Sequence, residues 1–408
     1  MNLLVFSDLY PTLAQKSGYF VYNQLKELAN YVNVSVMVPR GLPVTYRSLY
    51  RPHGIRKELE FISALIKEPF PNSYEAGLVT PFFKLPTKHL LFCQGKFYML
   101  QNKRIVRAAV ESFRPDLVYS HQIFPSGAIG YYIKRKFGIP YIVYEHGVDV
   151  IGKKTGQGWA LRNKLNLNFA QKVLEDASAV LTNTVRMKDV LLNTFKNLRV
   201  IVNHLGCNAN NQRLFGEKTR TQDGSFNIVS LCYFEPRKGI QYAIRAINEL
   251  RKRGHDIQYD IYGNGLYEAE LRRITTAYNL QECVKFRGFL PNDQAVEVLS
   301  NYHLFLLPSW NEAFGVVYLE ALAAGIPAIG CMGEGPEEIN LYGNIIFMVP
   351  PRDVDALADM IEEVKRAYAT VADRVALGQR VINEEFTWKK SAESVFEIIS
   401  SIIGKAHA

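Results

Sequence analysis

Two glutamates eight residues apart, Glu312 and Glu320, bracket the stretch of this chain richest in usable chemistry. An ionised carboxylate accepts hydrogen bonds from hydroxyls, so one carboxylate ahead of a helix and one about two turns along suit the hydroxyls of a sugar or ribose. Between them Phe314, Gly315 and Val316 stand where a helix opens. Free backbone amides there carry the positive end of the helix dipole and suit an anion such as a diphosphate. Upstream, Glu235-Pro-Arg-Lys-Gly239 sets Arg237 and Lys238 side by side in a strand-to-helix loop, again a place for a diphosphate. Gly263-Asn-Gly265 follows another strand, although the full Gly-x-Gly-x-x-Gly fingerprint is absent because position 268 is Glu. In the first half, His121 and His146 each end an apolar run, and Gly18 precedes a helix start where bare backbone can approach a ligand. Every one of these has an ordinary reading as well. Glu312 also reads as a solvated loop residue, Glu320 as polar helix face, Arg237-Lys238 as an exposed basic turn, Gly18 as a turn glycine and the histidines as structural ones.

Such residues need strand ends and helix starts to hold them. In the first half, apolar runs predict strands over 3–7, 34–38, 116–120, 140–144, 179–183 and 198–203. Helical spacing predicts helices over 19–31, 56–66, 90–113, 127–137, 157–176 and 187–195. The second half predicts strands over 226–232, 256–262, 284–286, 303–307 and 347–349, with a further run ending at Gly330. Its helices fall after Gly239 to about 253, then over 266–278, 293–300, 316–324, 353–368 and from about 389 onward. This alternation is the βαβ pattern of parallel sheets, whose ligands sit outside the carboxyl ends of the strands. Asp353-Val-Asp355 has the look of a metal-binding Asp-x-Asp, but it opens a helix after Pro350-Pro351 and reads as an N-cap with a dipole partner.

The 408 residues suffice for two large α/β domains. Charge is split between them. Residues 1–205 carry 27 Lys and Arg against 13 Asp and Glu, and residues 206–408 carry 21 against 26, within an overall formal charge of +9. The basic excess concentrates in 40–57 and in 84–107, the latter free of acids and interleaved with aromatics. That pattern suits an anionic membrane surface or simply a solvated face. Nucleic acid is not indicated, because no RNP motif, zinc finger or helix-turn-helix accompanies it. No apolar stretch of eighteen residues occurs, and the N-terminus reads as a buried strand and not a signal peptide. The five cysteines have no metal-like spacing, which fits a reducing cytoplasm and no structural metal.

The whole stretch from His303 to Gly330, with Glu312-Ala-Phe-Gly and Glu320-Ala-Leu-Ala-Ala-Gly-Ile-Pro-Ala-Ile inside it, resembles the E-x7-E segment of the retaining, nucleotide-sugar-dependent glycosyltransferases of family GT4. Glu235-Pro-Arg-Lys-Gly239 resembles that family's phosphate-gripping loop, and His146-Gly-Val-Asp149 the segment supplying its sugar-facing histidine. Leu205-Gly-Cys-Asn208 is similar to its Asn-Gly-Val-Asp turn, and Phe386-Thr-Trp388 to the approach to its last helix. Two positions depart from the pattern. Tyr19 stands where a second glycine often follows Gly18, and Cys232 stands six residues before Lys238 where the family usually has Arg.

The resemblance implies an α/β chain of the GT-B fold, two Rossmann-like domains with parallel sheets facing across a cleft. The acceptor domain would take 1–205, the nucleotide-sugar domain 206–388, with the helix of about 389–408 packing back on the first. It implies transfer of a sugar from a UDP-sugar, or a GDP-sugar, to a hydroxyl of a glycan or lipid-linked glycan with retention, in polysaccharide or glycoconjugate synthesis and without a metal. His146, Glu312 and Lys238 would be catalytic. Gly18, Arg237, Lys238, Gly263, Phe314, Gly315, Val316 and Glu320 would bind the donor, and His121, from its place at the preceding strand end, would line the acceptor site. A cytoplasmic protein, peripheral on the inner face of the membrane, fits these expectations. Two other readings stay open: an NAD-dependent oxidoreductase, and a nucleotide-sugar-binding protein of weak activity, for which Cys232 is the support.

Overall fold

The computed structural model describes residues 1–10, 18–38, 40–41, 79–80, 100, 103–147, 150, 164–207 and 225–406. The helix expected over 56–66, most of the basic stretches 40–57 and 84–107, Cys93, Asp149 and the start of the helix expected over 157–176 lie outside the described residues. The chain forms two compact units, Met1–His204 with Ser391–Ala408, and Leu205–Lys390.

Unit 1 runs β1 (Asn2–Ser7), α1 (Tyr19–Leu28), β2 (Asn33–Met37), the short pair β3 (Arg40–Gly41) and β4 (Val79–Thr80), and α2 (Lys103–Phe113). It continues β5 (Leu117–His121), α3 (Ala128–Phe137), β6 (Tyr141–Glu145), α4 (Lys164–Asp176), β7 (Ala179–Thr182), α5 (Val185–Thr194) and β8 (Val200–Val202). Six strands form a sheet in the order β2-β1-β5-β6-β7-β8, parallel at every pairing. Alternate residues point to opposite faces. One face, with Leu4, Phe6, Val118, Tyr141 and Val143, shares a core with Val106 and Val110 of α2, Ile129 and Ile133 of α3, and Phe169 and Val173 of α4. Strands that are apolar on both faces are what a helix-covered parallel sheet requires.

Unit 2 repeats the plan with β9 (Phe226–Leu231), α6 (Ile240–Lys252), β10 (Ile257–Tyr262), α7 (Glu268–Ala277), β11 (Val284–Gly288), α8 (Ala295–Leu299) and β12 (Leu304–Leu306). Then come α9 (Val316–Ala323), β13 (Ala328–Cys331), α10 (Glu337–Asn340), β14 (Phe347–Val349), α11 (Val354–Arg366) and α12 (Ala372–Glu385). Its sheet order is β11-β10-β9-β12-β13-β14, again all parallel. Asp353 caps α11, its Oδ1 accepting the Ala356 amide at 2.9 Å. The sequence reading had no helix at α12, which holds Gly378, a poor helix former. The glycine is there for packing, since a Cβ would come within 2.8 Å of Ile345 and 3.1 Å of Leu322.

The last helix, α13 (Trp388–Ala406), begins in unit 2 and from Ser391 onward belongs to unit 1. A buried polar knot holds it there. Gln24 of α1 donates to Asn203 Oδ1 at 3.1 Å and to Ser391 Oγ at 2.8 Å, and Ser391 Oγ donates to the His204 carbonyl at 2.6 Å. The Tyr119 hydroxyl donates to Gln24 Oε1 at 2.8 Å, and Asn203 Nδ2 donates to the Ser391 carbonyl at 3.1 Å. A buried network is favourable only when each member is satisfied. Tyr119→Phe strands the Gln24 carbonyl, and the expected loss is about 1–3 kcal/mol. That lowers the unit 1 melting midpoint by roughly 2–10 °C. Calorimetry of the variant checks this, and an unchanged midpoint would mean the knot contributes nothing.

Candidate functional site

In unit 2 the strand order reverses direction between β9 and β12, and the carboxyl ends at such a switch point are where open α/β sheets take their ligands. The loop after β9 carries Arg237 and Lys238, and the loop after β12 carries Glu312. Lys238 Nζ meets Glu312 Oε2 at 2.6 Å, with side chains only 13% and 11% exposed. Burial pushes the Glu312 carboxyl up, but the charges of Lys238 and Arg237 and hydrogen bonds from Lys238 and Ser309 outweigh it, and its pKa ends below the ordinary value. Glu312 is therefore an ionised acceptor. Arg237 lies beside it, its Nε donating to Glu235 Oε2 at 2.7 Å and its carbonyl accepting the Trp310 amide at 2.8 Å.

The Glu312 backbone is clamped from a third strand end. Its amide donates to Glu334 Oε2 at 3.0 Å, and its carbonyl accepts the Gly335 amide at 3.0 Å. Glu334 and Gly335 lie in the loop that follows β13. Its signal was an acid flanked by glycines directly after a strand. Glu235, in the sequence a plain member of the Glu-Pro-Arg-Lys-Gly motif, is the carboxylate that holds Arg237.

Gly315, at φ +88°, turns the chain into α9, whose first turn begins at Val316. In that turn the Tyr318 amide donates to the Gly315 carbonyl at 3.0 Å, and the Val316 and Val317 amides have no helical carbonyl to bond. The Phe314 side chain is buried against the Phe386 ring at 5.8 Å. Gly263 leaves β10 hard against the Cys232 carbonyl, where a Cβ would come within 1.8 Å. Glu320 lies in the middle of α9, which is apolar on nearly every side and therefore buried. Burial pushes the Glu320 carboxyl from 4.5 up to about 7. The Cys232 thiol is pushed up to about 12, chiefly by burial, and is neutral.

In unit 1 the sheet reverses between β1 and β5. Gly18 is the N-cap of α1. His121 ends β5 and His146 follows β6; both are buried, and His121 Nδ1 lies 2.9 Å from His146 Nε2. His121 is shifted well below the ordinary value by burial and by His146, and His146 is brought down to about 3 by burial. Both rings are neutral. Next to them Glu145 Oε1 accepts the Gly147 amide at 2.7 Å. Gln122, with its amide nitrogen turned toward Glu145, donates to the two carboxylate oxygens at 3.0 and 3.3 Å.

Two α/β units, each a six-stranded parallel sheet with its polar side chains at the carboxyl edge, define a protein of the GT-B fold. Comparison with known proteins names the class more closely. Residues 18–209 match the family described as Glycosyltransferase Family 4, and residues 211–380 match Glycosyl transferases group 1. The chain is 24% identical over 372 residues to an uncharacterized glycosyltransferase of Methanocaldococcus jannaschii, MJ1178, covering 88% of this chain and 99% of that one. It is 28% identical over 181 residues to the amylovoran biosynthesis glycosyltransferase AmsK of Erwinia amylovora, covering 43% of this chain and 44% of that one. That match spans less than half of the Erwinia enzyme. The solved structure of Anabaena Alr3699/HepE in complex with UDP-glucose superposes with a TM-score of 0.70 at 19% identity, over 98% of this chain and 100% of that one. The chain belongs to the group 1, family 4 type of glycosyltransferase.

The Glu320 shift has a consequence for stability. A carboxyl held at about 7 in the folded chain against 4.5 unfolded destabilises folding once it must ionise. The stabilising proton is bound fully below the unfolded value and is lost as pH rises through about 7. The penalty reaches about 3 kcal/mol above that window. Glu320→Gln should therefore raise the unit 2 midpoint at pH 8 and leave it near wild type at pH 4.5. Equal shifts at both values would show that the carboxyl ionises at no cost.

Proposed function

We propose that the chain transfers a sugar from a nucleotide-diphosphate sugar, a UDP-sugar before a GDP-sugar, to a hydroxyl of a glycan or lipid-linked glycan. The anomeric configuration is retained, and the product belongs to cell-surface polysaccharide or glycoconjugate synthesis. The observation that carries this reading is the Lys238–Glu312 pair at 2.6 Å, a cation and an ionised carboxylate side by side at the carboxyl end of β9 and β12. One suits a diphosphate and the other the hydroxyls of the sugar attached to it. The amylovoran relative supports the glycoconjugate context, and the UDP-glucose complex of the Anabaena protein supports the donor class.

In this reading the bond between the anomeric carbon and the diphosphate oxygen breaks, and the acceptor oxygen takes that carbon. The acceptor proton leaves on the departing phosphate. The transition state is oxocarbenium-like, with negative charge gathering on the diphosphate. Lys238, Arg237 and the Gly315 and Val316 amides stabilise that charge, an effect worth on the order of 3 kcal/mol per donor. Arg237 serves where position 232 is Cys and has no charge to give. Glu312 holds sugar hydroxyls, Glu320 the ribose, and His146 acts on the sugar. A metal is not needed for any of these steps.

Thermal unfolding with UDP, GDP and NAD tests the donor. A ligand at a hundred times its Kd stabilises by about 2.7 kcal/mol. A shift with UDP that Lys238→Ala and Glu320→Ala both abolish is the expected result, with transfer from a UDP-sugar insensitive to EDTA. A shift with NAD alone would overturn the reading.

The acceptor side adds a surface. Among the described residues Arg104 and Arg107 are exposed on α2, and Lys134, Arg135 and Lys136 close α3. Lys103 lies over the Tyr132 ring at 5.9 Å and ties the two helices together. Arg107 is paired with Glu111 at 2.7 Å and Lys134 with Asp176 at 3.6 Å; the remaining cations beside these rings suit anionic lipid, where a peripheral enzyme would meet a lipid-linked acceptor. No helix among the described residues is long and apolar enough to cross a membrane. Sedimentation should carry the protein down with phosphatidylglycerol vesicles and not with phosphatidylcholine, and Arg104→Glu with Arg107→Glu should release it. Equal recovery with both lipids would remove the membrane from the proposal.

A further inference from the structure

The two histidines of unit 1 form a closed unit. In the parallel register His121 of β5 is paired with Tyr144 of β6, and His146 lies two residues beyond Tyr144 on the same face. The two imidazole planes are parallel, with an interplanar angle of 0° and centroids 5.2 Å apart. Tyr144 stacks on His146 at 4.2 Å, Phe20 of α1 meets it edge-on at 4.9 Å, and Tyr119 lies 4.4 Å from His121. The nitrogens at the contact, His121 Nδ1 and His146 Nε2, are 2.9 Å apart, a hydrogen-bond distance. The outer nitrogens, His121 Nε2 and His146 Nδ1, are buried without a partner among the described residues.

Proton counting restricts this arrangement. A neutral imidazole carries one proton on one of its two nitrogens. The contact needs one proton, since two would clash and none would set lone pair against lone pair. When His121 Nδ1 donates, His146 must carry its own proton on Nδ1, and His121 Nε2 is bare. When His146 Nε2 donates, His146 Nδ1 is bare and His121 Nε2 carries the proton. The outer nitrogens are therefore always in opposite states, and His146 has only Nδ1 left for anything else.

We propose that His121 is the positioning residue of His146, fixing its ring plane and making its tautomer the complement of its own, so that His146 meets its ligand through Nδ1 alone. This replaces the direct acceptor contact expected for His121 from the strand-end position. Burial keeps both rings neutral, so the contact is a tautomeric one and not a shared charge. The catalytic consequence rests on the proposed glycosyl transfer, whereas the tautomer does not.

The test uses the full chain labelled with ¹⁵N-histidine. In the wild type, NMR should show the two rings in complementary tautomers and a scalar coupling between the two ring nitrogens across the N–H···N bond. Absence of that coupling overturns the proposal whatever the activity. His121→Phe keeps the planar ring without nitrogens and should change the His146 tautomer balance. Its kcat for sugar transfer should fall on the order of 10–100-fold with donor KM unchanged. His121→Asn leaves a polar atom near the Nδ1 position and should restore the wild-type tautomer balance and most of the turnover. A His121→Phe protein with an unaltered His146 tautomer overturns the proposal. A coupled pair in a protein that transfers no sugar leaves the positioning intact and defeats the functional reading instead.

Discussion

The ion pair between Lys238 and Glu312 joins two loops 74 residues apart in the chain, and the carboxyl edge of the unit 2 sheet is arranged around it. Two opposite charges taken largely out of water cost free energy that their attraction recovers only with good geometry and further hydrogen bonds. Both conditions are met. The contact is 2.6 Å, Ser309 adds a hydrogen bond to the carboxylate, and Glu334 and Gly335 hold the Glu312 backbone from the end of β13. Three loops from three strands are thereby set against one another. A site assembled in this way has little left to reorganise when charge develops in it, which is where electrostatic stabilisation is most effective.

Unit 1 handles its polar groups by the opposite route. His121 and His146 lie among Tyr119, Tyr144 and Phe20, and burial holds both rings neutral. The Gln24–Asn203–Ser391 knot beside α1 is made of neutral groups as well. Glu145 is the buried acid here, and the Gly147 amide and the Gln122 side chain satisfy its oxygens. Neutral networks order side chains without the solvation cost of ions, and each group depends on its partner being present. The two units share a topology and differ in the kind of chemistry their strand ends can support.

Much of this was legible because parallel sheets write a simple pattern. Apolar runs broken by loops located β1, β5, β6, β9, β10 and β12 to within a residue or two, and the residues after them were the polar ones at the sheet edge. What could not be read was anything decided by distant contact. The helix at α12 was hidden by Gly378, whose reason lies in Ile345 and Leu322. The role of Glu334 depends on the Glu312 amide, 22 residues away in the chain. The pairing of His121 with His146 depends on strand register, which is set only when the sheet forms.

Glu312 and Glu320 show how far spacing alone can mislead. In the sequence they are a matched pair, each as suited as the other to a hydroxyl. In the folded chain one has Lys238 and Arg237 beside it and ends below its ordinary pKa, while the other sits in an apolar helix and rises to about 7. A carboxylate ionised throughout the neutral range accepts hydrogen bonds at a constant strength. One that titrates near neutrality accepts fewer and weaker hydrogen bonds while it holds its proton, and a hydroxyl that donates to it favours the ionised form. The first carboxylate is therefore a fixed feature of the site, and the second is an acceptor whose readiness a bound ligand changes. The difference comes from the cations 74 and 75 residues upstream of Glu312 and from the apolar residues around Glu320.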